Sequence, residues 1–294
     1  MAGPQFERIA VIGCGLIGSS LVRAVRAYGA AGSIAVYDLS PAVRERVATL
    51  GIADLVTDDI AKAVEGADLV VFATPPMTIA EAARLAAPHY RAGAVISDVG
   101  SVKGPIVEAL SESAPDNVFI IPGHPIAGTE QSGPDAGFAE LFDGRWVILT
   151  PVSDQNEAYA VAVANLSAFW RALGAQVELM DARHHDMVLA VTSHLPHLIA
   201  YTIVGTASDL EDVTQSEVIK YSAGGFRDFT RIAASDPTMW RDVFLTNKDA
   251  VLEMLQRFTE DLTALQRAIR VGDGDQLFDH FARTRAIRRS IIEL

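Results

Sequence analysis

The run Ile9-Ala-Val-Ile-Gly-Cys-Gly-Leu-Ile-Gly18 constrains this chain more than any other stretch. A short β-branched strand feeds directly into G-x-G-x-x-G, and Ser19-Ser20-Leu21 opens a helix behind it. Each glycine has its own reason to be there. Gly13 suits a tight turn, Gly15 lets backbone approach a pyrophosphate, and Gly18 lets the helix pack close to the strand. The helix N-terminus then offers unpaired N–H groups and a partial positive charge to phosphates. Asp38 ends the next strand, 20 residues beyond Gly18. A carboxylate there accepts hydrogen bonds from adenosine ribose hydroxyls and repels a 2′-phosphate, so NAD is expected over NADP. The alternative is a solvated turn aspartate. Cys14 is the single cysteine, which excludes an intrachain disulfide and a cysteine zinc cluster. Inside the loop it reads as packing.

Strand-like segments continue at Ser33–Tyr37, Asp68–Ala73, Ala94–Ser97, Val118–Ile121, Arg145–Leu149 and Gln176–Leu179, alternating with helix-patterned stretches. That alternation predicts an α/β, Rossmann-type, doubly wound and mostly parallel sheet over residues 1–180. From Asp181 the strand signals stop. Thr246–Val271 and Asp275–Ile292 carry helical spacing, with apolar positions including Val251, Leu252, Leu255, Phe258, Leu262 and Leu265. Residues 181–294 are expected to form an all-helical substrate and dimerisation domain, burying part of its surface against a second copy of the chain.

Net charge is −13, which argues against nucleic acid or an anionic membrane as partner. No signal-peptide pattern or long uninterrupted apolar window is present, so a cytoplasmic location is expected. An acidic chain that binds an anion must gather its cations locally. Lys220, Arg227, Arg231, Arg241 and Lys248 face only Asp228, Asp236 and Asp242 over that stretch, which marks it as a candidate anion site.

Ligands of open α/β sheets bind outside the carboxyl ends of the strands. Three loops fall there. Thr74-Pro75-Pro76 is a rigid turn able to flank the cofactor. Asp98-Val99-Gly100-Ser101-Val102-Lys103 carries a hydroxyl, Ser101, that can meet a substrate hydroxyl, orient a base, or simply cap a helix. Pro122-Gly123-His124-Pro125 holds an imidazole in a restricted loop. Imidazole titrates near neutrality and suits proton removal from an alcohol as hydride leaves; a structural histidine is the alternative.

In the helical half, His194 and His197 share a face if Ser193-His-Leu-Pro-His197 is helical, and Pro196 should bend that helix. The alternative is a metal site using nitrogens of His185, His194 and His197, but hydride transfer from an alcohol to NAD needs none and no carboxylate completes the ligand spacing. In Gly224-Gly-Phe-Arg-Asp-Phe-Thr-Arg231 the paired glycines permit a turn. Arg227 and Arg231, four apart, suit bidentate carboxylate recognition. Trp240 can wall an unsaturated ring. A solvated basic face with a core tryptophan is the plainer alternative.

These motifs together resemble the prephenate and arogenate (cyclohexadienyl) dehydrogenases of tyrosine biosynthesis. The matching runs are Gly13–Gly18, Asp98–Lys103, Gly123-His-Pro-Ile-Ala-Gly128, Ser193–His197, Gly224–Arg231 and Asp236-Pro-Thr-Met-Trp240, in family order over nearly the whole chain. The resemblance implies NAD-dependent oxidative decarboxylation of prephenate, arogenate or both, with no metal. His124 would be the catalytic base, Ser101 would assist at the ring hydroxyl, and Arg231 would bind a substrate carboxylate. Arg227, His194, His197 and Trp240 would line the pocket. Gly13, Cys14, Gly15, Leu16, Ile17, Gly18, Asp38, Thr74 and Pro75 would hold NAD. At this length, neither the fused chorismate mutase nor the regulatory domain of some relatives is expected within these residues. The rivals are a β-hydroxyacid dehydrogenase or imine reductase, which would commonly use a helical-domain lysine, and a non-catalytic NAD sensor, which would need no base.

Overall fold

A computed structural model describes residues 4–152, 156–209 and 224–292. Six strands form the main sheet: β1 (Phe6–Ile12), β2 (Ala31–Tyr37), β3 (Leu55–Thr57), β4 (Leu69–Phe72), β5 (Val95–Asp98) and β6 (Phe119–Ile120). Their order is β3-β2-β1-β4-β5-β6, and every pairing is parallel. The order reverses between β1 and β4, where a crevice opens at the strands' carboxyl ends. Both faces are covered, so the strands are apolar throughout rather than alternating. Ile9 and Val11 pack with Leu21, Val25 and Trp170 on one side, whereas Ala10 and Ile12 pack with Ile79, Ile106 and Trp240 on the other.

Three features differ from the sequence expectation. β3 has only three half-buried residues, too few to show periodicity. The strands β8 (Trp146–Leu149) and β9 (Gln176–Leu179) do not extend the main sheet; with β7 (Gly123–Pro125) they form a second one. His124 therefore sits on a short strand and not in a loop. β7 runs antiparallel to β8, with His124 opposite Ile148. The Gly–Pro flanks hid a strand because proline is tolerated at the end of an edge strand.

Beyond Asp181 every described element is helical. The helix Ala182–Leu189 passes through a π-helical turn, Ala190–His194, into the helix Leu195–Asp209. Pro196 cannot donate to the carbonyl four residues back, and the π turn widens the ladder where that bond is lost. The expected bend is thus a local change of pitch. The stretch Ala182–Asp209 is long and apolar enough to cross a membrane, with a mean hydropathy of 1.5 over its apolar window. His185, Asp186 and His194 are buried in its first half, whereas most of its other residues are half-buried or exposed, Val191, Ile203 and Val204 among them.

By contacts two units separate after Lys248, while residue 180 remains the expected division between the nucleotide and substrate segments. Trp240 and Val243 explain the later boundary, because both belong to the core that holds Ile12 and Phe72. The second unit, Asp249–Leu294, consists of most of the long helix Lys248–Val271 and the helix Gly274–Ile292. Its apolar stripe is largely uncovered: Leu252, Leu262, Ile269, Phe278 and Phe281 are all exposed.

Candidate active site

The glycine loop follows β1 and faces the loop after β4. Gly13 has φ +95°, and a Cβ there would lie 2.8 Å from the Ala73 carbonyl oxygen. At Gly18 a Cβ would lie 2.2 Å from the Gly13 carbonyl oxygen. No larger residue fits either place. At Gly15, by contrast, nothing lies within 4 Å, leaving room for a ligand against the backbone. Leu16 and Ile17, the first helical residues, are half-buried beside it. The Asp38 carboxylate accepts from Cys14 N at 2.9 Å and from Ser40 N at 2.9 Å, one bond on each oxygen. Each oxygen keeps a lone pair for a further donor. The Cys14 thiol is pushed up to about 12, first by burial and then by the Asp38 charge, so it stays protonated and unreactive. Thr74 Oγ1 is buried without a hydrogen-bond partner, and Pro75 starts the helix Pro76–Ala86. Open space at Gly15, lone pairs at Asp38 and an orphaned hydroxyl at Thr74 together fit a dinucleotide.

Behind β5 lies a buried ion pair that sequence reasoning missed. Lys103 Nζ donates to Asp98 Oδ2 at 2.5 Å and to the Gly123 carbonyl at 2.6 Å, and both side chains are fully buried. Asp98 also accepts from Gly100 N and Gly123 N. Burial pushes Asp98 up and Lys103 down, and each partner's charge opposes the shift. The pair joins the end of β5 to the start of β7 and so fixes the backbone of Gly123, just before His124.

His124 is buried, and its Nδ1 lies 2.9 Å from Nε2 of His185. His185 Nδ1 lies 2.8 Å from Asp186 Oδ1. Among the described residues no hydrogen bond engages Nε2 of His124. Burial above all, then the nearby His185, Lys103 and His194, holds the His124 pKa well below the usual imidazole value. The ring is neutral at neutral pH, as a base must be.

Ser101 is half-buried and does not cap the following helix. That role belongs to Asp186, which accepts from Lys103 N at 2.7 Å and Gly104 N at 2.8 Å across more than eighty residues. The capping alternative for Ser101 is therefore corrected. Its backbone lies near His194, whose pKa falls to about 4 chiefly through burial. His194 Nδ1 meets Asn247 Nδ2 at 3.1 Å. The same amide donates to the Asp186 carbonyl, so Nδ2 is the donor and His194 carries its proton on Nε2.

His197 stacks on Trp240 with ring centroids 3.6 Å apart and 22° between planes. Trp240 is itself buried, so it backs His197 rather than offering a bare face. His197 Nδ1 donates to the Ser193 carbonyl at 2.9 Å, leaving Nε2 as an acceptor. The Arg231 guanidinium is near enough to lower the His197 pKa, after burial has done more. Arg231 also meets Glu130 at 3.3 Å, and both are substantially exposed. Gly224 and Gly225 open a helix, Gly224–Thr230, instead of a turn; Arg227 is exposed on it and Arg231 begins the 3₁₀ turn that follows. Of the other candidate cations, Arg241 pairs with Asp242, and Lys220 lies outside the described residues. No group of metal-ligating side chains converges among the described residues, because His185 turns to His124.

Two family models match this chain. One, described as the nucleotide-binding domain of prephenate dehydrogenase, matches residues 21–179, and one described as its dimerization domain matches 181–283. The chain belongs to the prephenate dehydrogenase family. A cyclohexadienyl dehydrogenase of Zymomonas mobilis is 45% identical, over 97% of this chain and 96% of the relative. A prephenate dehydrogenase of Bacillus subtilis is 32% identical, over 94% of this chain and 73% of the relative. The solved prephenate dehydrogenase of A. aeolicus, in complex with hydroxyphenyl propionate and NAD+, superimposes with a TM-score of 0.87 at 34% identity. That match covers 97% of this chain and 98% of the other. The likeness thus extends over both halves of the chain.

Residues missed in the sequence were Lys103 as a buried cation, Asp186, Asn247 and Glu130. One signal for Asp186 was available. Running the inward face of the helix back from Leu189 places His185 and Asp186 on it, and all three are buried.

Proposed function

We propose that this chain catalyses oxidative decarboxylation of prephenate, arogenate or both, transferring hydride to NAD. One observation carries the reading: a buried, neutral His124 whose Nδ1 is bonded and whose Nε2 is left for a substrate. The family and its solved NAD complex support the same reading. NAD, when bound, supplies the hydride acceptor, and the Gly13–Gly18 loop, Asp38, Thr74 and Pro75 would hold it.

His124 accepts the ring hydroxyl proton on Nε2 as the carbinol hydrogen leaves as hydride and the ring carboxylate leaves as carbon dioxide. The ring becomes aromatic, which drives the step without an acid to expel carbon dioxide. Ser101 steadies the ring hydroxyl. Arg231 binds a carboxylate, with Arg227 able to add a second cation, while His194 and His197, backed by Trp240, form one wall. Positioning supplies much of the rate.

Residues 1–180 serve the nucleotide and 181–294 serve substrate and dimerisation. The uncovered apolar stripe on the two last helices supports a homodimer. Similarity to biosynthetic dehydrogenases supports a cytoplasmic setting. The test is NADH formation with prephenate and with arogenate side by side. NADH with either substrate is expected, and none with both would refute the reading.

A further inference from the structure

The hydrogen-bond chain behind His124 does more than hold a ring in place. An ionised carboxylate only accepts, so Asp186 Oδ1 requires a proton on His185 Nδ1. Neutral imidazole carries one proton, so His185 Nε2 presents a lone pair. That lone pair faces His124 Nδ1 at 2.9 Å, which must therefore donate. The proton inventory leaves His124 Nε2 bare.

Asp186 is itself fixed by the N–H groups of Lys103 and Gly104, and its own carbonyl is tied to Asn247. The helix that starts at Gly104 presents its N-terminal N–H groups and partial positive charge to that carboxylate. The chain from helix N-terminus to base thus has one consistent proton arrangement.

We propose that His185 and Asp186 are positioning residues that set the tautomer of His124, keeping Nε2 free to take the substrate proton. This rests on His124 being the base. When that proton arrives on Nε2, His124 becomes an imidazolium. Its Nδ1–H bond spreads the positive charge through His185 toward the Asp186 carboxylate, and no proton is lost from the chain. The groups facing the two rings are Lys103 and Asp98 from the β5 side, His194 from the π turn and Asp186 from the same helix.

Nitrogen-15 NMR of histidine-labelled wild-type enzyme loaded with NAD tests the tautomer directly. His124 should show a protonated Nδ1 and a bare Nε2; a proton on Nε2 would overturn the proposal. Kinetics add a second arm. His185→Leu removes the acceptor and should lower kcat roughly 10- to 10³-fold with KM little changed. His185→Gln, whose Oε1 can accept the Nδ1–H bond, should recover most of that loss. If His185→Leu turns over like wild type while His124→Asn does not, the relay is wrong and the base stands. If His124→Asn also turns over normally, the underlying reading fails instead.

Discussion

Lys103 and Asp98 meet at 2.5 Å with no exposure to solvent, and the same ammonium holds the carbonyl of Gly123, the residue before His124. A buried pair of this kind is costly to break from one side, because the survivor is left as an uncompensated charge. Lys103→Met should therefore destabilise the fold by about 3–5 kcal/mol in urea unfolding. Adding Asp98→Asn should return part of that loss. A Lys103→Met enzyme as stable as wild type would contradict the ion pair.

Arg231 sits at the surface end of the site, and its pair with Glu130 is too exposed to matter much for folding. Arg231→Ala should leave the unfolding midpoint nearly unchanged. It should raise the substrate KM by an amount equivalent to about 1.5–3 kcal/mol, the worth of a charge-assisted hydrogen bond. An unchanged KM in steady-state kinetics would move Arg231 out of the site.

Asp38 bonds the glycine loop through Cys14 N, and in the proposed function its remaining lone pairs accept from ribose hydroxyls. Asp38→Ala should weaken NAD binding by about 1.5–3 kcal/mol and narrow the preference over NADP. Titration of both cofactors by fluorescence would read both effects. Equal affinity of the unmodified enzyme for the two would show that the carboxylate does not select.

The buried histidines make stability depend on pH. His124, His185, His194 and His197 all have folded pKa values below their ordinary 6.5, with His194 at about 4. Below pH 6.5 the unfolded chain binds protons that the folded chain refuses, so stability is full above that value and falls with pH toward the folded values. Each unit of separation corresponds to about 1.4 kcal/mol. Urea midpoints should drop steadily from pH 7 to pH 4.5, and a flat profile across that window would contradict the neutral buried rings.

Much of this was legible in the chain itself. The glycine run, the alternation through Gln176–Leu179 and the helical spacing after Asp181 specify the architecture because each follows a short-range period. Five of the six main strands and the two long terminal helices fall where the pattern puts them. β7 was hidden because its pairing with β8 is a contact across more than twenty residues, which no local pattern reports. The site divides in the same way. His124, Ser101, His194, His197 and Arg231 stand out as residue types in motifs. Lys103 and Asp186 carry no motif that marks a role by itself. Their roles exist only once β5, β7 and the helix Ala182–Leu189 converge, since the partners of each lie up to 83 residues away.

The central claim is that His124 takes the substrate proton, and the turnover of His124→Asn tests it most directly. With NAD and the better of prephenate or arogenate at saturation, kcat should fall roughly 10²- to 10⁴-fold, with little change in KM for either ligand. A variant that folds, binds NAD and turns over at the wild-type rate would contradict it.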